Sequence, residues 1–325
     1  MISNMSKFEK IIIKRASKLN KTIVLPEAEY SKRVLDAALI CASEGVANVV
    51  LLAKSNKLNK YAKLDRVRVI DITTSELKPM LASALFVKRK EKGLTHKEAT
   101  ALVDNELYFA TMMVELGLVD GMVAGAENST ANVLRPALQI IKTRPGFDLA
   151  SSVIFMCKGD QVYAFADCAL NINPDAEQLA QIVKETAFSV KKYMQVDPVV
   201  AMLSYSTNGS GKGESAEKVH AAVELMRSQK LDFDFDGEMQ FDAAVDLGTR
   251  KLKYKDCKLK DKAVNAFVFP NLDSGNIGYK MLRFGGYTAI GPLMQGLRLP
   301  VNDISRGATA EEIVLIIAAT AIEGE

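Results

Sequence analysis

The sequence contains no tryptophan, only two histidines and only four cysteines among its 325 residues, and these scarcities argue against several kinds of chemistry. The cysteines are scattered, with no C-x-x-C pair and no histidine at ligand spacing: Cys41, Cys157, Cys168 and Cys257. This pattern indicates reduced, buried thiols of a cytoplasmic protein and no metal site. His96 and His220 lie in segments that predict helices and surface roles, so hydrolysis by a Ser-His-Asp or Cys-His mechanism is not expected.

Long apolar runs and an excess of one charge sign are also missing. The longest apolar run, residues 313–322, is half the length of a membrane span and predicts a buried helix. The first ten residues carry charges where a signal peptide needs an apolar core. The net charge is +3, from 42 basic and 39 acidic residues, which predicts neither a nucleic-acid nor a membrane partner. An anionic ligand would have to be bound by local Arg or Lys side chains.

The chain has a globular composition, with 48% apolar and 25% charged residues. Its length exceeds what one hydrophobic core usually serves, so two domains are expected. In the first half, β-branched runs at residues 22–26, 48–53 and 67–70 predict strands, and they alternate with helical patterns such as residues 31–43. This alternation predicts parallel strands in an α/β layer fold.

The second half begins after residues 142–146, where Lys-Thr-Arg-Pro-Gly breaks a helical pattern. Residues 151–157 and 161–167 predict two strands of a hairpin, with the turn at Lys-Gly-Asp, residues 158–160. Further strands are predicted at residues 198–205 and 266–270, and helices at residues 175–193 and 215–228. The Lys-rich segment 249–262 predicts an exposed loop or flap.

A glycine-rich segment, residues 204–213, lies between a predicted strand and a predicted helix. Free backbone N–H groups and a helix dipole at such a place can bind an anion. The segment is not a Walker loop, because Ser206 stands where the first glycine should be and Gly213 follows the lysine. A flexible connection that uses glycine for unusual dihedral angles explains the pattern equally well.

A second polar segment, residues 125–130, follows the strand predicted at residues 120–124 and precedes a helix that contains Arg135. Small polar residues at the carboxyl end of a strand, followed by a helix N-terminus, predict an oxyanion or phosphate cradle. Ordinary helix capping by Ser129 or Thr130, with a surface arginine, is the alternative explanation.

The third segment, residues 302–312, precedes the last predicted helix. Ser305 and Arg306 lie in a loop, and Gly307 permits a sharp turn. Residues 309–312, Thr-Ala-Glu-Glu, predict a capping box in which Glu312 bonds the N–H group of the cap residue. Glu312 therefore has a structural explanation as well as any chemical one.

These segments and several further stretches, in order along the chain, make the sequence similar to the phosphate acetyltransferase (phosphotransacetylase) family. The stretches are residues 23–27, 33–35, 134–137, 202–207, 275–280 and 300–307. The resemblance implies two α/β/α domains with isocitrate/isopropylmalate dehydrogenase-like topology, residues 1–146 plus 292–325 and residues 147–291. It also implies an active-site cleft between the domains and a homodimer formed mainly by the second.

The resemblance implies reversible acetyl transfer between CoA and inorganic phosphate, by direct thiolate attack in a ternary complex. Carried over to this chain, the thiol-deprotonating carboxylate is Glu312, the transition-state serine is Ser305, and the arginine contacting acetyl phosphate is Arg306. The phosphate-binding residues are Arg89, Arg135, Ser129 and Thr130. The candidates for binding CoA are Ser206, Thr207, Gly209, Lys212 and Lys280. CoA is a substrate here, and neither a bound cofactor nor a metal is expected.

Elementary chemistry is consistent with this set. Arginine binds phosphate oxygens bidentately and stays charged. A thiol with a pKa of about 8.5 is mostly protonated at neutral pH, so its attack on a carbonyl benefits from a base. The family usually has Asp where this chain has Glu312, and one extra methylene displaces the carboxylate by up to roughly 1.5 Å. A displacement on that scale can change the rate of a reaction.

Three other functions fit parts of the sequence. A phosphate propionyl- or butyryltransferase would share the reaction and differ in the acyl chain. A metal-dependent decarboxylating dehydrogenase would need clustered carboxylates, and Asp232, Asp234 and Asp236 alternate as if on one strand face, where a solvated face is the simpler explanation. A non-catalytic anion- or CoA-binding module, such as the regulatory domain that some malic enzymes append, is the third.

Overall fold

In the computed structural model, which describes residues 5–325, the chain divides into two compact units. The first comprises the described residues up to Pro145 together with Leu297–Glu325, and the second comprises Gly146–Gly296. The chain returns to the first unit at Leu297 rather than at residue 292, because residues 288–295 form one strand that pairs within the second unit. The independence of the two units as folding domains stays a prediction.

Eleven strands occur in residues 5–325, and most of them are short apolar runs. In chain order they are β1 (Thr22–Leu25), β2 (Asn48–Ala53), β3 (Val67–Asp71), β4 (Gly121–Ala124), β5 (Ser151–Lys158), β6 (Gln161–Ala166), β7 (Val199–Leu203), β8 (Asp234–Met239), β9 (Ala266–Val268), β10 (Thr288–Gln295) and β11 (Val301–Asp303). The first unit has one sheet, with strand order β11-β4-β1-β2-β3 and every pair parallel. The predicted parallel α/β arrangement is confirmed for this unit.

Twelve α-helices connect and cover the strands in the same part of the chain. They are α1 (Lys7–Leu19), α2 (Lys32–Ser43), α3 (Leu77–Arg89), α4 (His96–Leu102), α5 (Glu106–Glu115), α6 (Thr130–Pro136), α7 (Ala176–Ser189), α8 (Glu214–Arg227), α9 (Phe241–Val245), α10 (Leu247–Lys253), α11 (Leu272–Phe284) and α12 (Ala310–Glu323). Several start at a capping box, including α12 at Thr309. These caps satisfy backbone N–H groups that the first turn of a helix leaves unpaired.

The last helix, α12, is deeply buried in the first unit, since every residue from Ile313 to Ile322 is buried. It packs against α1, α2 and β4, as its apolar sequence predicts. A Cβ atom at Gly121 would lie 2.6 Å from Cγ2 of Thr320, so glycine allows β4 to approach α12 this closely. In residues 5–325, no helix combines the length and the apolar character that crossing a membrane requires.

The second unit has a mixed sheet with strand order β10-β5-β6-β9-β7-β8. Strands β5 and β6 are antiparallel and are joined by only two residues, Gly159 and Asp160, with Gly159 at φ +59°. A connection this short cannot make the crossover that parallel strands need, so the predicted hairpin is confirmed. Strand β10 also pairs antiparallel with β5, whereas β6, β9, β7 and β8 are parallel.

The Lys-rich segment 249–262 is only partly the exposed loop or flap that its composition predicts, because most of its residues are exposed but several are buried. Part of it is α10, and the side chain of Arg250 in that helix is buried, with only 2% of the residue exposed. Its guanidinium donates hydrogen bonds at 2.6–3.1 Å to four backbone carbonyls, those of Ala243, Ala244, Lys260 and Lys262. Tyr254 and Leu259 are buried as well. The segment is therefore held against the second unit by a buried cation that composition could not reveal.

Candidate active site

Three loops of the first unit begin at the carboxyl ends of β1, β4 and β11. These strands are neighbours in the sheet, and carboxyl ends of parallel strands lie at one edge, where α/β proteins commonly bind ligands. The loop after β1 contains Glu27, the loop after β4 contains residues 125–129, and the loop after β11 contains Ser305 and Arg306. Fold topology thus brings the second and third sequence segments together.

Glu27 organises the loop after β4. Its carboxylate is fully buried and accepts hydrogen bonds from four successive backbone N–H groups, those of Gly125, Ala126, Glu127 and Asn128, at 2.7–3.2 Å. The side chain of Asn128 adds a fifth bond of 2.8 Å. Charge-assisted bonds of this kind are strong and fix the loop. The backbone groups that the sequence suggested as an anion cradle therefore already hold an internal carboxylate.

Arg33, on α2, joins the loops after β4 and β11. Its Nη1 donates to the carbonyls of Arg306 at 2.7 Å and Ala308 at 2.8 Å. Its Nη2 donates to the carbonyl of Ala126 at 3.0 Å and to the carboxylate of Glu127 at 3.2 Å. Because a guanidinium is planar and its donors are fixed relative to one another, these bonds set the separation of the two loops.

Asp303, the last residue of β11, is buried against the loop after β4. Its Oδ2 accepts a 2.6 Å hydrogen bond from the Thr130 hydroxyl, and its Oδ1 has no hydrogen-bond partner among residues 5–325. A Cβ atom at Gly125 would lie 2.1 Å from this Oδ1, and Gly125 has φ +112°, so the contact requires glycine. Burial raises the pKa of Asp303 to about 7; Thr130 and Arg306 lower it, and Glu27 raises it further.

Ser305 and Arg306 are exposed at the start of the loop after β11. The Ser305 hydroxyl accepts a 3.2 Å hydrogen bond from the N–H of Gly307, an arrangement that leaves its own proton free for donation. The main chain of Arg306 is held by Arg33, whereas its side chain extends from an exposed position. The pair thus has a fixed backbone and accessible side-chain donors, as binding a substrate oxyanion requires.

Glu312 forms the predicted capping box at the start of α12. Its Oε2 accepts from the N–H of Thr309 at 2.9 Å, and its own N–H donates to the Thr309 hydroxyl at 3.2 Å. The side chain is partly exposed. The capping prediction is confirmed, and the role of Glu312 as a base stays a prediction.

The remaining predicted phosphate ligands cluster around α6. Ser129 caps this helix by accepting from the N–H of Asn132 at 3.3 Å, and Arg135 is exposed in its last turn. Arg89, at the end of α3, donates to the carbonyl of Gln139 at 3.3 Å, one turn beyond Arg135. Helix α6 has seven residues, and the chain continues directly as a π-helical turn, Ala137–Ile141, which contains Gln139. The structure thus brings Arg89 to the segment that carries Arg135.

In the second unit, the glycine-rich loop after β7 is held by a buried glutamate. Glu238 accepts from the Ser206 hydroxyl at 2.9 Å and from the Gly209 N–H at 2.7 Å, and its other oxygen lies 3.2 Å from Nδ1 of His220. Thr207 is also buried, and its hydroxyl accepts from the Gln240 N–H at 2.9 Å. Of the predicted CoA ligands, Ser206 and Thr207 are therefore occupied by contacts within the protein.

A pocket of about 270 Å³ lies beside this loop and is lined by Gly209, Lys212, His220 and Glu238, among others. Two of the predicted CoA ligands, Gly209 and Lys212, therefore line the same pocket. Lys280 does not line this pocket; it is exposed on α11, with Nζ 5.8 Å from the centroid of the Tyr279 ring. The predicted CoA residues are thus separated into two places.

The three alternating aspartates do not form the shared solvated face that their spacing suggests. Asp236 is fully buried and is bonded to Arg227 at 2.6 Å, whereas Asp232 and Asp234 form surface ion pairs with Lys191 and Lys262. Among residues 5–325, no group of three or more His, Cys, Asp or Glu side chains is arranged to hold a metal ion. The four cysteines are buried free thiols, as predicted.

Sequence reasoning missed the supporting residues Glu27, Arg33 and Asp303. Each lies within a stretch quoted for the family resemblance, yet none was assigned a role. A charged residue at the end of a buried strand, or within two residues of it, is the signal that could have identified Glu27 and Asp303.

The chain matches the family model "Phosphate acetyl/butaryl transferase" over residues 7–321. It is 44% identical over 317 residues to the phosphate acetyltransferase of Staphylococcus aureus, covering 94% of this chain and 95% of that protein. It is 40% identical over 324 residues to the phosphate acetyltransferase of Helicobacter pylori, covering 98% of this chain but 62% of that longer protein.

The solved structures similar to this chain include a phosphotransacetylase from Streptococcus pyogenes, with a TM-score of 0.91, 39% identity and coverage of 98% of this chain and 99% of that one. A 4-hydroxythreonine-4-phosphate dehydrogenase from Klebsiella pneumoniae shares the fold alone, with a TM-score of 0.55, 13% identity and coverage of 94% and 99%. The predicted α/β fold class, which resembles the fold of this dehydrogenase, is confirmed. The chain belongs to the phosphate acetyl/butaryl transferase family.

Proposed function

We propose that this protein transfers an acetyl group reversibly between CoA and inorganic phosphate. The observation that carries this proposal is the 44% identity to a relative named phosphate acetyltransferase, across 95% of that relative's length. The exposed Ser305–Arg306 pair supports it, because its backbone is braced by Arg33 and its side chains are accessible. Identity over this length, with an accessible pair of donors at a strand end, favours the same reaction in this chain.

In the proposed mechanism, the CoA thiol loses its proton and the thiolate attacks the carbonyl carbon of acetyl phosphate. The carbonyl oxygen becomes an oxyanion, which accepts a hydrogen bond from Ser305, and the bond from carbon to the phosphate oxygen then breaks. Acetyl-CoA and phosphate are the products, and no covalent enzyme intermediate forms. Hydrogen bonds placed where charge develops are commonly worth about 3 kcal/mol of transition-state stabilisation.

The phosphate is bound in this proposal by Arg306, Arg89 and Arg135, together with Ser129 and Thr130. The bonds from Arg89 to the α6 segment and from Thr130 to Asp303 support placing these residues at one edge of the first unit. Glu312 takes the thiol proton, and this role must coexist with its bond to the Thr309 N–H. Arginine supplies paired donors that match two phosphate oxygens at once.

For CoA, we propose that the glycine-rich loop of the second unit contacts the nucleotide part. Its support is the pocket lined by Gly209 and Lys212, since the cationic side chain of Lys212 suits a diphosphate. Lys280 is a separate exposed cation on α11. Ser206 and Thr207 act by shaping the loop, because their hydroxyls are bonded to Glu238 and Gln240.

The deciding experiment mixes the purified protein with acetyl phosphate and CoA, without added nucleotide, and follows acetyl-CoA formation by absorbance of the new thioester. CoA-dependent formation of acetyl-CoA, reversed by adding phosphate, is expected. Absence of thioester at micromolar protein would overturn the proposal. Oxidation or reduction of NAD(P) by the same preparation would instead indicate a dehydrogenase.

The acyl chain is a narrower question, because the family description names both acetyl and butyryl transfer. We propose acetyl as the preferred group, with phosphate propionyl- or butyryltransferase as the alternative. Turnover with acetyl-, propionyl- and butyryl-CoA, each with phosphate and at equal concentrations, compares the three directly. A higher kcat/KM for butyryl-CoA would reverse the assignment.

We also propose that the protein acts in the cytoplasm as a homodimer formed through the second unit. Four free, buried thiols are consistent with a reducing compartment. The dimer is supported by α11, where Ile277, Met281 and Phe284 lie one helical turn apart and are 53%, 70% and 96% exposed. Apolar side chains aligned along one exposed helix face are typical of a protein interface.

A further inference from the structure

Asp303 is a buried carboxyl group that contacts a proposed phosphate ligand directly. Only 4% of the residue is exposed, and its Oδ2 lies 2.6 Å from the Thr130 hydroxyl oxygen. The other oxygen, Oδ1, packs against Gly125 and has no hydrogen-bond partner in residues 5–325. A carboxyl group in this setting has one hydrogen bond where an ionised carboxylate would normally have several.

The charged groups around Asp303 come from several elements. Glu27, beyond β1, raises its pKa, and Arg306, beyond β11, lowers it. Arg33 on α2 and Glu127 after β4 are bonded to each other at 3.2 Å. Burial, opposed by the Thr130 hydrogen bond and modified by the charges of Glu27 and Arg306, raises the pKa of Asp303 to about 7, so the group changes its protonation within the physiological range.

A threonine hydroxyl has one proton to donate and two lone pairs with which to accept. When Asp303 is ionised, it must receive that proton, and Thr130 then has none for a phosphate oxygen. When Asp303 is protonated, its own O–H donates to Thr130, and the Thr130 proton can be directed to a ligand. The same 2.6 Å contact therefore serves both states with opposite consequences for the ligand.

We propose that Asp303 is a positioning residue whose proton frees the Thr130 hydroxyl to donate to the substrate phosphate, so that phosphate affinity falls as Asp303 ionises. This inference rests on the proposed function only in taking Thr130 as a phosphate ligand. The proton stays on Asp303 throughout the reaction, and no bond to the substrate forms or breaks through this residue. A bound phosphate favours the neutral carboxyl, so phosphate binding above the midpoint takes up a proton.

The size of the effect follows from the fraction of protein in the competent state. With a midpoint near pH 7, about nine-tenths of Asp303 is protonated at pH 6 and about one-tenth at pH 8. The apparent KM for acetyl phosphate is therefore about tenfold higher at pH 8 than at pH 6, because apparent affinity scales with the competent fraction. The corresponding change in kcat at saturating substrate is much smaller.

Asp303→Asn provides the matched control, because the amide has the same shape and donates to Thr130 without titrating. KM for acetyl phosphate is measured at saturating CoA from pH 6 to pH 8.5 in the parent and in the variant. The ratio of the two KM values cancels titration of the substrates. It is expected to rise about tenfold between pH 6 and pH 8. A constant ratio would overturn the proposal.

Variants of Thr130 test the same point if Asp303→Asn does not fold. Thr130→Ser keeps the hydroxyl and is expected to keep the pH-dependent KM. Thr130→Val removes the hydroxyl and is expected to raise KM at pH 6 and to flatten its pH dependence. Equal pH dependence in the serine and valine variants would contradict a role for the hydroxyl.

Calorimetric titration of inorganic phosphate separates this inference from the proposed function, since it needs no turnover. At pH 8, in two buffers of different ionisation enthalpy, the parent is expected to take up more protons per phosphate than Asp303→Asn. If the parent and Asp303→Asn bind phosphate with equal proton uptake, the proposed role of Asp303 is refuted, whether or not the protein forms acetyl-CoA. Absence of acetyl-CoA formation alone would bear on the proposed function instead.

Discussion

Two buried carboxyl groups in the candidate site differ in the number of hydrogen bonds that they accept. Glu27 receives five hydrogen bonds from the loop after β4, whereas Asp303 receives one from Thr130. A fully bonded carboxylate fixes the loop around it. A carboxyl with a free oxygen can gain or lose a proton without breaking a network, so it is the one suited to respond to pH.

Arg306→Lys tests the proposed phosphate arginine. Lysine keeps the charge but lacks the planar pair of donors, so kcat/KM for acetyl phosphate is expected to fall about 10- to 100-fold, as for loss of one charge-assisted hydrogen bond. Steady-state kinetics with varied acetyl phosphate measures the loss. Arg68→Lys is the control, because Arg68 is an exposed arginine of β3 in the same unit. Equal activity of the two variants would remove Arg306 from the phosphate site.

The substitution Glu312→Gln distinguishes a role of Glu312 as a base from its role in capping α12. Glutamine also accepts at this position of a capping box, so the midpoint of thermal unfolding is expected to stay within a few degrees. Turnover is expected to fall, since an amide cannot take the thiol proton. Glu311→Gln changes the exposed neighbour in the same helical turn and serves as the control. An unchanged rate in Glu312→Gln would leave Glu312 with a structural role only.

At the scale of elements, the segment after α9 shows how one buried side chain can order a polar stretch. Arg250→Met keeps much of the side-chain volume but leaves four backbone carbonyls without their donor. The expected loss of unfolding free energy is about 3 kcal/mol, because unpaired buried polar groups are costly. Urea-induced unfolding measures it.

Lys251→Met is the matched control for that experiment. Lys251 is the next residue of α10, and its ion pair with Asp261 has both side chains more than half exposed. Exposed pairs contribute little, so a change below about 1 kcal/mol is expected. Equal destabilisation by the two substitutions would show that Arg250 does not anchor the segment.

At the scale of the whole molecule, the exposed apolar face of α11 predicts the oligomeric state. The double variant Met281→Glu/Phe284→Glu places charge on the two most exposed side chains of that face. Burying unpaired carboxylates in an interface is unfavourable, so the proposed dimer is expected to separate into 35.5 kDa chains. Light scattering coupled to size-exclusion chromatography measures the mass.

Leu252→Glu is the control for the interface, because Leu252 is 78% exposed in the same unit but lies on α10. This variant is expected to keep the mass of the parent. A parent that elutes as a single chain, or a double variant with the parent's mass, would exclude this face as the interface.

Much of the local structure of this protein can be predicted from its amino-acid sequence alone. β-Branched runs and helical patterns predicted most strands and several helices of both halves. The hairpin at Lys-Gly-Asp, residues 158–160, and the Thr309–Glu312 capping box followed from short local sequences. Such features depend on residues close together in the chain, where periodicity and turn chemistry act. The resemblance in residues 300–307, with the matching stretches before it, predicted the family to which the chain belongs.

The groups that support the candidate site, and those occupied by contacts within the protein, depend on tertiary contacts. Arg33 bonds a carbonyl 273 residues away, Thr130 bonds Asp303 across 173 residues, and Glu27 reaches Gly125 across 98. No periodic pattern encodes partners at such distances, since they meet only because β1, β4 and β11 are neighbours in the sheet. The burial that raises the pKa of Asp303 arises in the same way, from packing between elements that are distant in the chain.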